Sequence, residues 1–221
     1  MIILIINISH NICSVALVKN KNIYYLEKTC YKNGNKYILF MIKKILNYNN
    51  ITIKNINAIS FLNGPGHFTN VRVNISVAQG LSFGMNIPLI SISILDVIAY
   101  KIYKMFFLKK ILSVINSDLN EIYIGKYQKI KGLWIINKKK ITFNNKIFNN
   151  KITSKYNLWF IVGLKGYTNI KFKKNISNIH LFNEINIKDI INLTIKYYNK
   201  NNLFYNKNIY PLYLKNNFIN Y

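Results

Sequence analysis

The sequence predicts an α/β protein built from two related subdomains, each opening in the order β-β-β-α-β-α. Three observations predict it. Apolar runs at 2–6, 13–18 and 23–28 are joined by short polar turns, the pattern of an antiparallel meander. Apolar residues then recur at helical spacing over 35–48, at Ile38, Leu39, Ile42, Ile45 and Leu46. A similar order starts again near Ile111, with no Pro/Gly/Ser-rich linker between the halves.

In chain order, 2–6 is a strand of β-branched and aliphatic residues, and 7–11 reads as a polar turn. Strand 13–18 follows, then the turn Lys19-Asn20-Lys21-Asn22, strand 23–28 and helix 35–48. Strand 56–62 runs into Asn63-Gly64-Pro65-Gly66, a tight and stiff join, because glycine opens backbone angles and proline fixes one. Helix 71–83 comes next, with Gly84 as its stop. Pro88 opens strand 89–91, and 94–107 is a further helix. In the second half, strands fall at 111–115 (ending at Asn116), 121–128, 133–136, 158–162 and 176–182, with a helix at 187–198. The stretch 138–156 is too rich in Lys and Asn to assign. The expected division is an N-terminal subdomain at 1–108 and a C-terminal one at 109–207. The apolar and aromatic tail 208–221 is expected to dock on the first, because such termini bury rather than trail in water.

With 221 residues, 51% of them hydrophobic, the chain can bury a sizeable core. The formal charge of +25 would normally point to nucleic acid. Here the lysines are scattered, and Ile, Asn, Lys and Tyr dominate in the way AT-rich codons would produce. The only dense runs are Lys138-Lys139-Lys140 and 171–174. Solvated lysines and a weak, salt-sensitive attraction to RNA both fit. Cys13 and Cys30 form no CxxC pattern and read as buried free thiols in a reduced compartment. Residues 1–8 lack a basic flank and a cleavage site, and no apolar run reaches the ~20 residues of a spanning helix. These features predict a soluble cytoplasmic protein with no membrane association.

Catalytic chemistry has little to work with. In two-lobed phosphotransferases of this layout, each half opens with a hairpin ending in a carboxylate, and the pair holds the metal that bridges nucleotide phosphates. The corresponding positions here are the neutral amides Asn7 and Asn116, and Asp118 falls beyond the strand end. His10, His67 and His180 have no zinc-ligand spacing. The chain has six acids and no nucleophile elbow. Arg72 is the sole arginine among 31 basic residues. A planar, forked guanidinium binds carboxylates, phosphates or carbonyls in a geometry that lysine cannot copy. Tyr37 and Phe40 on the first helix, and Val71, Ile75, Ala78, Leu81 and Ser82 on the second, serve either the chain's own core or a partner helix.

Several of these residues resemble a known family. The opening pattern with Cys13-Ser14-Val15-Ala16-Leu17 resembles the start of the bacterial TsaB (YeaZ) proteins. Gly64-Pro65-Gly66-His67-Phe68-Thr69-Asn70-Val71-Arg72 is similar to their GPGSFTGxR signature, and Ala78-Gln79-Gly80-Leu81 matches the AQGL that follows. Glu121-Ile122-Tyr123 and Pro211-Leu212-Tyr213-Leu214-Lys215-Asn216-Asn217 resemble the family's E-V-Y and terminal P-x-Y-L-R-N-N. The stretch 129–206 is divergent.

The resemblance implies the actin-like/sugar-kinase (ASKHA) fold. It implies a non-catalytic subunit of the system that makes N6-threonylcarbamoyladenosine beside the anticodon of tRNAs reading ANN codons. TsaC makes the threonylcarbamoyl-adenylate, a TsaD-type transferase passes the group on, and a TsaE-type ATPase joins the complex. ATP and magnesium are used by the complex rather than by this subunit, and tRNA is met through it. The expected partner contact carries onto Tyr37, Phe40 and Met41 in the first helix. It carries also onto Gly64, Pro65, Gly66, Phe68, Thr69, Arg72, Ile75 and Gln79 in the loop and second helix. A homodimer is left open. The transferase's metal-binding histidines have no counterpart here, which argues against the glycoprotease label the family sometimes carries. The family's Asp-Thr-(Ala/Ser)-Thr is Asn7-Ile8-Ser9-His10, and the signature's Ser and Gly are His67 and Asn70. The competing readings are a lysine-rich RNA-binding protein and an independent nucleotide-binding, phosphotransferase-like enzyme. The paired loss of carboxylates argues against the latter.

Overall fold

The computed structural model describes residues 1–9, 12–30, 34–64, 68–116, 121–130, 133–137, 143–144, 160–164, 179–183, 185–200 and 203. They divide into two compact units.

In the first unit, β1 (Ile2–Ser9), β2 (Ile12–Lys19) and β3 (Asn22–Thr29) form the antiparallel meander. β4 (Ala58–Asn63) and β5 (Leu89–Ser93) add in parallel on the other side of β1, giving the order β3-β2-β1-β4-β5. β1, β2 and β4 are buried along almost their whole length, which is why they read as unbroken apolar runs. Alternation then splits their side chains between two faces. Leu4, Ile6, Val15, Leu17, Ile59 and Phe61 pack with α1 (Gly34–Tyr48) and α2 (Phe68–Met85) in one cluster. Ser60, on the opposite face, meets Thr194 of α4 (Ile187–Asn199), hydroxyl to hydroxyl at 2.9 Å in the buried interior.

The second unit repeats the strand plan. β6 (Lys110–Asn116), β7 (Glu121–Ile130) and β8 (Leu133–Asn137) form an antiparallel meander, and β10 (Phe160–Leu164) and β11 (Ile179–Phe182) extend it in parallel from β6. The order is β8-β7-β6-β10-β11, with the short β9 (Phe143–Asn144) also pairing with β7. α3 (Ile94–Phe106) lies on β6, β7 and β10. Its Asp96 is buried and accepts a hydrogen bond from Tyr127 Oη at 2.7 Å. Gly125 makes room for that ring, since a Cβ there would stand 2.6 Å from it.

Three expectations are corrected. The residues Asn7, Ile8 and Ser9 belong to β1, not to a turn. α2 runs through Gly84 to Met85, and the left-handed residue that ends it is Asn86, at φ 51°. The division at 108/109 also moves, because the helix closing each strand set packs on the other sheet. α3 belongs with the second unit, and α4 packs on β5, β2 and β1 of the first. Local periodicity shows that a helix is amphipathic but not which sheet its apolar stripe will cover. The tail 208–221 and the stretch 138–142 lie outside the described residues.

Candidate partner-binding face on the paired helices

Two side-chain amides, Asn63 and Asn74, hold the described residues on either side of 65–67. Asn63 closes β4, and Gly64 follows at φ 123°, an angle that only glycine takes without strain. The Asn63 side chain fixes this turn. Its Oδ1 accepts from Gly64 N–H at 2.8 Å and its Nδ2 donates to Ser91 Oγ at 3.2 Å. Asn74, one turn beyond Val71 on α2, holds the far side. It is almost fully buried. Its Oδ1 accepts from Ile8 N–H at 2.8 Å, and its Nδ2 donates to the carbonyls of Ile8 at 3.1 Å and Leu62 at 3.3 Å. A single amide therefore ties the ends of β1 and β4 to the helix that starts at the loop. The sequence reading missed Asn74. Its one available signal was a polar residue interrupting the inward stripe Val71, Ile75, Ala78.

α2 separates cleanly into faces. Asn74, Ile75, Ala78 and Ser82 are buried, while Thr69, Arg72, Ser76, Gly80 and Phe83 are exposed at helical spacing. Phe83 is 83% exposed. α1 behaves alike: Ile38, Met41, Ile42, Ile45 and Leu46 are buried, and Leu39, Phe40 and Tyr48 are outward, Phe40 at 63%. Both helices pack against the same face of the sheet and touch one another. Unit 1 thus carries on adjacent helices a set of large apolar side chains in water, together with Arg72 and a bare backbone at Gly80, whose missing Cβ would meet nothing within 4 Å.

The expected contact residues fall into three groups. Phe40, Thr69 and Arg72 are exposed, and Tyr37 and Gln79 are half-buried. Lys28 Nζ covers one face of the Tyr37 ring at 3.6 Å from the centroid. Met41 and Ile75 are inside, so neither presents a surface; the stripe they belong to serves this unit's own core. Gly64 is buried at the strand end, and Phe68 opens α2. Pro65, Gly66 and His67 lie outside the described residues, as does His10.

At the first nucleotide-site position the amide is only half satisfied: the buried Asn7 Oδ1 has no hydrogen-bond partner among the described residues. Asn7 is buried, and its Nδ2 donates to Ser14 Oγ at 3.0 Å and Ser9 Oγ at 3.2 Å. A carboxylate there could only accept from those hydroxyls and would bring an uncompensated charge. Asn116 ends β6. Neutral amides at both positions supply no anionic ligand for magnesium, so they do not fit a magnesium–nucleotide site. Among the described residues no cluster of three or more His, Cys, Asp or Glu side chains stands ready for a metal. His180 sits among Phe106 and Phe182 instead. No described helix is long and apolar enough to cross a membrane.

Comparison with known proteins decides the family. The chain is 35% identical over 207 residues to the tRNA threonylcarbamoyladenosine biosynthesis protein TsaB of Buchnera aphidicola from Acyrthosiphon pisum, covering 92% of this chain and 93% of that protein. The chain belongs to the TsaB (YeaZ) family. A second Buchnera TsaB, of the Baizongia pistaciae subspecies, is 34% identical over 96% of this chain and 97% of its own length. Escherichia coli TsaB is 29% identical over 73% of this chain and 70% of its own. Residues 28–151 match the family model described as TsaD, tRNA N6-adenosine threonylcarbamoyltransferase. YeaZ from Pseudomonas aeruginosa superposes with a TM-score of 0.79 at 21% identity, over 96% of this chain and 99% of that one. The fold is the duplicated actin-like/sugar-kinase α/β fold of those proteins.

Proposed function

We propose that this chain takes part in forming threonylcarbamoyladenosine in tRNA, as a non-catalytic subunit that binds and activates a TsaD-type transferase through α1 and α2. The observation that carries the reading is the exposure of Phe40 and Phe83 on two adjacent helices, the second of which also exposes the chain's only arginine. Exposed apolar patches mark interaction sites, and aromatic side chains and arginine are enriched among interface anchors. The match of more than half the chain to a transferase family model adds support, because subunits on one fold pair readily through equivalent helices. The non-catalytic role is supported by the buried Asn7, whose amide donates to Ser14 where a metal-binding site needs an acceptor of negative charge. The relatives named for tRNA threonylcarbamoyladenosine biosynthesis support tRNA as the substrate; in the proposed reading these are tRNAs reading ANN codons, met through the complex with a TsaE-type ATPase, which with the transferase uses the ATP and magnesium.

The test is a reconstituted modification assay on an unmodified tRNA transcript, with the threonylcarbamoyl-adenylate and the TsaD-type transferase supplied. The proposed role predicts product formation that rises with added chain and is absent from the chain alone. A rate indifferent to the chain would contradict it.

A further inference from the structure

The end of α3 carries a second exposed cluster, in the other unit. Met105, Phe106 and Phe107 are consecutive and all exposed, Phe107 at 74%. Phe107 sits at φ 52°, the left-handed region that a bulky side chain enters only at a cost. Its N–H still reaches Tyr103 O at 2.8 Å, and its ring meets Tyr103 edge-on with centroids 6.0 Å apart. Behind it, Phe106 stacks on Phe160 at 6.2 Å, and His180 stands edge-on to Phe106 at 6.0 Å and to Phe182 at 4.7 Å. Lysines border the rings: Lys101 Nζ is 4.7 Å from the Phe182 centroid and Lys104 Nζ is 5.8 Å from that of Tyr100. Lys109 is exposed, and Lys110 opens β6.

Among the described residues, the charged side chains that border this cluster are lysines. Of the unit's acids, Asp96 is buried and bonded to Tyr127. Glu121 starts β7, at the end of the sheet opposite Lys110, which pairs with Gln128. Asp118 and Glu184 lie outside the described residues. An apolar protein surface would cover the rings but offer nothing to the exposed ammonium groups of Lys104 and Lys109. A nucleic-acid strand answers both, with bases to stack on phenylalanine and phosphates beside the ammonium groups.

We propose that the end of α3, with β11 behind it, is an RNA-contact surface that takes unpaired nucleotides, bases on Phe106 and Phe107 and phosphates at Lys104 and Lys109. It rests on the reading that this chain works on tRNA, and it lies on a different unit from the α1/α2 face. The test is anisotropy titration of the full chain against an unmodified tRNA transcript at several salt concentrations. Phe107→Ala should weaken binding about tenfold with the salt slope unchanged, and Phe107→Tyr should restore it. Lys104→Ala/Lys109→Ala should lower the slope of log K against log salt by about one per lysine. No binding to tRNA, or binding that depends on the lysines and not on Phe107, would overturn the proposal. So would a Phe107→Ala variant that loses the transferase while keeping tRNA, which would make this a protein-docking surface. If the chain fails to join the transferase but binds tRNA through Phe107, the scaffold reading falls and this surface stands. The reverse result removes only this surface.

Discussion

Asn74 on α2 completes the backbone hydrogen bonding of Ile8 on β1. The pairing of β4 along β1 ends at Ile6↔Phe61. Two residues further on, the Asn74 amide supplies both missing partners, an acceptor for Ile8 N–H at 2.8 Å and a donor to Ile8 O at 3.1 Å. A side chain on a helix thus takes the place of a strand. It fastens α2, the helix that carries Arg72 and Phe83, to the ends of β1 and β4.

Replacing Asn74 by Ala should strand a buried donor and a buried acceptor. The expected loss is about 1–3 kcal/mol of folding stability, read as a lower denaturation midpoint with the same slope. An unchanged midpoint would show that the amide is dispensable.

Gly64→Ala should be costly for a different reason. At φ 123° a Cβ is strained whatever the room around it. The expected cost is about 1–3 kcal/mol. A variant with wild-type stability would exclude strain at Gly64.

Cys13 supplies a pH prediction. Burial is the main cause that pushes its thiol from 9.0 up to about 12, with neighbouring Cys30 adding to the shift. The folded state therefore favours the protonated form. Its contribution to stability is full below pH 9, where the unfolded thiol also stays protonated. It is lost as pH climbs from there toward 12. Denaturation followed across that window should show a decline that Cys13→Ala lessens. Below it, the native protein should leave Cys13 unlabelled by thiol reagents.

Much of this arrangement is legible in the sequence, for physical reasons. β1, β2 and β4 are buried on both faces, so their apolar runs are hard to mistake. Strand order in the second sheet follows from its repeat of the first. The errors also have causes. Asn7 and Ser9 look like turn residues, yet they lie in β1, where the Asn7 amide donates to both Ser14 Oγ and Ser9 Oγ. The inward stripe Ile75, Ala78 is visible as periodicity, whereas the outward Phe83 looks like one more apolar residue. Which sheet α3 and α4 cover is a long-range matter that no local pattern carries.

Arg72→Lys should leave the fold intact, since Arg72 is exposed on α2; its melting curve should match the wild type within about 0.5 kcal/mol. Affinity for the transferase should fall, because an ammonium cannot reproduce the guanidinium fork. Calorimetric titration of the two proteins would measure it, and equal affinity would remove the special role of this residue.

The most direct measurement is size-exclusion chromatography of this chain mixed with the TsaD-type transferase of the same organism, with and without ATP. It should be run for the wild type and for Phe83→Lys with Phe40→Lys. A heteromer that forms with the wild type and disappears with the folded double variant is the predicted result. Two separate peaks for the wild type, or a heteromer indifferent to both lysines, would contradict the assignment of the α1/α2 face.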